Sequence, residues 1–185
     1  MTALRTIHLA GRYYRAYPPD APLGYTEDAL ELQLDETVFL LVDVYGRGFD
    51  PGDDLGSAAE FYKRSVLANR SIVLDHIVPA RAAARAAGLP IVYLNNYLSP
   101  GMNERNEWRQ MSKRTAGIDV LEAWREPNDV LTFSHVIAPH ADDYVIKKQL
   151  YSGFFETHLD SLLRSLNARN VDRGWRSCSR HLCMT

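Results

Sequence analysis

The run Val38-Phe39-Leu40-Leu41-Val42-Asp43 constrains this chain more than any other stretch. Branched apolar residues without polar alternation read as a strand buried on both faces, the kind found in the middle of a parallel sheet. A carboxylate at the carboxyl end of such a strand stands where open α/β sheets bind their ligands. The alternative role for Asp43 is a cap on the following turn, and the other strand ends decide between the two.

Pro90-Ile91-Val92-Tyr93-Leu94 is a second such run and ends on Asn95-Asn96-Tyr97; Tyr144-Val145-Ile146 is a third and ends in Lys147-Lys148. Between the first two, Val73, Ile77, Ala80, Ala84 and Ala87 recur on one helical face, with Gly88 placed to end the helix and Pro79 to bend its early part. A polar helical stretch over residues 57–68 precedes it. Before that comes a loop holding Gly46, Gly48, Asp50, Pro51 and Gly52, whose spacing matches no phosphate-binding fingerprint. Strand, helix and strand in this order form one βαβ unit, which puts Asp43 and the asparagines on the same sheet edge. The expected fold is a three-layer αβα domain with a mostly parallel sheet, its three buried strands adjacent or nearly so.

A length of 185 residues suits one domain with one core. Residues 1–36 read as an N-terminal arm, rich in aromatics and turn formers, followed by an edge strand in which Leu30, Leu32 and Leu34 alternate with polar residues. Residues 37–185 form the main domain. Residues 98–140 are polar and irregular, with no sustained period beyond a short turn at 120–124. Beside a strand end, such an excursion reads as a lid or an oligomer contact, anchored by Trp108 and Trp124. A turn at Tyr151-Ser152-Gly153 leads to an amphipathic helix with Phe155, Leu159, Leu162, Leu163 and Leu166 inward. Residues 171–185 are too polar for the fourth central strand that the repeat calls for.

The net charge of −2 gives no reason to invoke nucleic acid or a membrane surface. The start of the chain lacks the apolar core of a secretion signal, and Cys178 and Cys183 cannot staple the fold, so the expected compartment is the cytoplasm. Three strand ends thus present an aspartate, an asparagine pair and a lysine to one cleft, and the thiols lie in the segment that should return to it. Taken singly, Lys148 reads as a solvated lysine, Asn96 as a turn former and either cysteine as a bystander. Together they suit nucleophilic chemistry, in which a thiolate needs a cation to lower its pKa and a base to take its proton.

Leu41-Val42-Asp43, the block from Ala83 to Ile91 and above all Lys148-Gln149-Leu150-Tyr151-Ser152-Gly153-Phe154-Phe155-Glu156-Thr157 resemble the isochorismatase-like cysteine hydrolases, and the last block is most similar to their ureidoacrylate amidohydrolase branch. The likeness runs over residues 37–170. It implies an Asp, Lys and Cys triad that hydrolyses a C–N bond of a small amide or ureide through a covalent acyl-enzyme, in a homo-oligomer. Asp43 and Lys148 fall on the first two positions, Asn96 and Tyr151 on the substrate side, and Lys147 matches nothing. Some relatives carry a metal bound by an Asp and histidines beside the second strand; Asn95-Asn96-Tyr97 has no histidine nearby, so neither metal nor other cofactor is expected.

The tail departs from that family. Its cysteine follows a strand and a glycine turn; six residues after Gly174 stands Arg180, and Cys183, preceded by Leu182, is nearest in character, with Cys178 the runner-up. Trp, Arg, Ser, Cys and His crowded into residues 174–183 are what a shifted reading frame of GC-rich coding sequence yields. The rival function is therefore a truncated pseudo-hydrolase or binding module that keeps the cleft without the nucleophile.

Overall fold

The computed structural model describes residues 5–15, 24–53, 55, 60–97, 107–117, 119, 132–150 and 152–175. The chain opens with strands β1 (Thr6–Arg15) and β2 (Gly24–Gln33), paired antiparallel in a two-stranded sheet of their own. This corrects the expected edge strand. The alternation is real, since Leu32 and Leu34 are buried and Glu31 is exposed, but β2 takes its hydrogen bonds from β1. A 3-10 turn over Leu34–Glu36 then separates it from the main sheet, with the Thr37 hydroxyl donating to the Gln33 carbonyl at 2.7 Å.

The main sheet is parallel and has the order β5-β4-β3-β6, built from β3 (Thr37–Val42), β4 (Ile91–Asn96), β5 (Tyr144–Lys148) and β6 (Asn170–Trp175). Helices cover both faces. On one, Phe39, Leu41, Ile91 and Tyr93 meet Val66, Val73, Ile77 and Ala84 from α1 (Glu60–Ile72), a π turn (Val73–Ile77) and α2 (Val78–Ala86). On the other, Leu40, Val92, Leu94 and Ile146 meet Leu159, Leu162, Leu163 and Leu166 of α4 (Leu159–Ser165) and its end. Period-2 alternation on a strand buried on both sides produces these two apolar faces, and the αβα expectation holds. Among the described residues no helix is long and apolar enough to cross a membrane.

Other expectations need correction. The two helices after β3 run on without a loop, and the distortion lies just upstream of Pro79: the Val78 N–H reaches back five residues to the Val73 carbonyl. Proline has no N–H to offer Asp75, and a wider turn accommodates the ring without breaking the rod. Ala80 faces solvent. A helix, α3 (Glu107–Ala116), stands in the stretch read as irregular; it is polar, with few apolar residues to mark it, and Arg109 and Lys113 tie it to Asp119 at 2.7 and 2.9 Å. The turn at 120–124 lies outside the described residues. Phe155 precedes α4 and is exposed.

Of β5, Tyr144 and Val145 are exposed and Ile146 is buried, because among the described strands β5 is an edge. A strand does follow α4, at the end of the described sheet rather than at its centre. Asn170–Trp175 pairs with Thr37–Val42 over its whole length, since ladder bonds come from the backbone, and a strand with one described neighbour does not require an apolar sequence.

Candidate active site

Asp43, Asn96 and Lys148 stand at the carboxyl ends of β3, β4 and β5. Register puts Asn96 directly beside Lys148, and alternation turns both toward the α4 face. Asp43 sits one residue past β3 in the left-handed region, φ 55°, with its N–H bonded to the Leu94 carbonyl at 3.0 Å. A non-glycine residue held there by its neighbours is characteristic of functional turns.

The lysine side chain is only 3% exposed, whereas that of Asp43 is 31% exposed. Its ammonium lies 3.2 and 3.4 Å from the two carboxylate oxygens and donates to Asn96 Oδ1 at 2.7 Å. A buried cation persists only with such acceptors. Among the described residues Asp43 Oδ1 accepts no hydrogen bond, the Lys148 contact there being an ion pair off hydrogen-bonding geometry. Among the described residues that buried oxygen thus has no hydrogen-bond donor, although a fixed positive charge stands beside it. Lys147 points to the opposite face, exposed, with its ammonium 4.9 Å from the centre of the Tyr97 ring.

Sequence reasoning missed the groups that hold the loop after Asp43. Tyr45 is buried, and its hydroxyl accepts from Asn96 Nδ2 at 2.8 Å. Gly46 exchanges backbone bonds with Thr132 and Ser134 across the excursion. At Gly48, φ is 103° and a Cβ would come within 2.6 Å of Leu55 and 2.7 Å of Val66, so only glycine fits. Asp53 Oδ2 accepts from the N–H groups of Gly48 and Asp50 at 2.7 and 3.2 Å and from the Ser134 hydroxyl at 2.7 Å, and that hydroxyl accepts from the Phe49 N–H at 3.1 Å. Burial pushes the Asp53 carboxyl up, but Ser134, the two N–H groups and the Arg70 charge outweigh it and hold the pKa below the ordinary range. The signal for this latch was present in the Gly- and Asp-rich composition of residues 46–53, but its partner Ser134 is far along the chain.

The excursion is tied to the sheet as well. Arg81 donates to the Tyr93 hydroxyl at 2.7 Å and to the Val136 and Ala138 carbonyls, and Tyr93 donates to Ile137 at 3.0 Å. Arg85 grips Asp143 through two bonds of 2.9 Å. Tyr151, Cys178, Cys183 and Trp124 lie outside the described residues, as does the Trp108 side chain. Among the described residues no group of three or more His, Cys, Asp or Glu could hold a metal ion.

The isochorismatase domain model matches residues 59–171, more than half of the chain. The chain belongs to the isochorismatase family. It is similar to the ureidoacrylate amidohydrolase RutB of Serratia proteamaculans, 32% identical over 155 residues that cover 78% of this chain and 60% of the relative. RutB of Acinetobacter baylyi is 28% identical over 157 residues, again 78% and 60% of the two chains. The chain thus spans about three-fifths of the curated relatives it matches. A crystal structure of a cysteine hydrolase from Pseudomonas syringae pv. phaseolicola 1448A superposes with a TM-score of 0.53 at 20% identity, covering 79% of this chain and 62% of that one, a likeness of fold.

Proposed function

We propose that this isochorismatase-family chain is a cysteine hydrolase that cleaves a C–N bond of a small amide or ureide. The observation that carries the proposal is the Asp43–Lys148 pair, a partly exposed carboxylate, one oxygen of which accepts no hydrogen bond among the described residues, beside a buried ammonium. The RutB names of the similar proteins support the substrate class. In this reading Asp43 takes the thiol proton of Cys183 and Lys148 stabilises the thiolate. The thiolate attacks the carbonyl carbon, and collapse of the tetrahedral intermediate breaks the C–N bond as Asp43 returns the proton to the departing nitrogen. Water, deprotonated by Asp43, then hydrolyses the thioester, freeing the acid and restoring the thiol. Tyr151, three residues beyond Lys148, is assigned to the substrate, and residues 98–140 to a cleft wall or a homo-oligomer contact. A cytoplasmic, reducing setting suits a free thiol.

A second reading, a binding module without turnover, is favoured by the tail, where neither cysteine falls at the family's position. Thiol labelling separates the two. A nucleophilic Cys183 beside Lys148 reacts with iodoacetamide well below the ~8.5 of a free thiol; equal, slow labelling of Cys178 and Cys183 supports the binding module.

A further inference from the structure

We infer that Asn96 is a positioning residue that acts on the reaction through Lys148, and that Tyr45 fixes the direction in which the Asn96 amide points. The inference rests on the hydrolase reading for its consequence, though not for its geometry. Lys148 has only donors, so the amide can face it with Oδ1 alone, at 2.7 Å. The Nδ2 end is then directed at the Tyr45 hydroxyl, 2.8 Å away, which accepts. A flipped amide would set N–H against ammonium and leave the tyrosine without this donor. Among the described residues the side-chain partners of Lys148 are therefore Asp43 from the end of β3 and Asn96 from the end of β4, with Tyr45 the titratable group behind Asn96. The ammonium's shortest contact is to the neutral amide, and the ion pair to Asp43 is longer and bent. Asn96 thereby anchors the ammonium through its shortest contact, on an acceptor other than Asp43.

The test is an NMR titration of the Lys148 Nζ in protein with 15N-labelled lysine, the signal assigned by its loss in Lys148→Met, together with steady-state kinetics. Hydrogen bonding to the charged form favours it, so Asn96→Ala lowers the titration midpoint, and Tyr45→Phe, which keeps the ring, lowers it by less. Asn96→Asp adds negative charge at the same place and moves the midpoint up. These opposite signs are not produced by loosened packing. In kinetics Asn96→Ala lowers kcat by about tenfold or more with KM within about twofold. An unmoved midpoint in all three variants overturns the inference, as does a raised KM at unchanged kcat, the signature of a substrate contact. A wild type without turnover refutes the hydrolase reading instead, and the titration still decides the role of Asn96.

Discussion

Ser134→Ala cuts the latch between the loop after Asp43 and the excursion at a single oxygen. The wild-type hydroxyl is buried, bonds a carboxylate at 2.7 Å and receives the Phe49 N–H at 3.1 Å. A hydrogen bond to a charged group contributes about 1.5–3 kcal/mol, and the bond from the Phe49 N–H about 0.5–1.5 more. Asp53 retains its two N–H donors, so the expected loss is about 3 kcal/mol. With a urea slope of about 2 kcal/mol per molar, the unfolding midpoint falls by about 1.5 M. The pH dependence adds a sign. Asp53 is held below its unfolded pKa, so its contribution is present above that pKa and is lost as pH falls through the folded value. Without Ser134 the folded pKa moves back toward the ordinary range, and the gap between wild type and variant narrows on acidification. A midpoint within about 0.3 M of wild type at neutral pH, or a gap that widens in acid, refutes the reasoning.

Arg85→Ala leaves the Asp143 carboxylate, 2% exposed, with the His140 N–H in place of two guanidinium bonds. Because Arg85 is itself partly exposed, the expected loss is about 2 kcal/mol at neutral pH. Burial pushes Asp143 up and Arg85 holds it down, so the variant regains ground on wild type as pH falls, measured by urea unfolding across pH. Gly48→Ala combines φ 103° with the approach to Leu55 and Val66 and should lose about 3 kcal/mol; a thermal midpoint unchanged within error would show that the loop yields freely.

The central strands were legible because burial on both faces leaves a sequence signature that few other structures share, as Val38–Val42 and Ile91–Leu94 show. Strand ends followed from them, which is why the sequence already places Asp43, Asn96 and Lys148 on one sheet edge, where the structure brings them into contact. Three kinds of feature were not legible. β6 pairs through its backbone, so Asn170–Trp175 carries no apolar pattern to read. Helix α3 is polar and has few apolar residues to mark it. The contacts of Tyr45 with Asn96 and of Asp53 with Ser134 join residues 51 and 81 positions apart, and only the fold brings them together. The β1–β2 pairing was masked for a different reason: alternation says that a strand is half-buried, not which partner it has.

Turnover of Asp43→Asn on a panel of small amides and ureides, followed by ammonia release beside wild type, tests the central claim most directly. Asparagine keeps the shape of the side chain but gives up the basic lone pair and the charge paired with Lys148. The account predicts that kcat falls by about two orders of magnitude or more with the far-UV circular dichroism unchanged, while Lys147→Ala stays near wild type. Near-full turnover in Asp43→Asn, in a preparation whose wild type is active, would contradict it and leave Asp43 as a cap on the turn after β3.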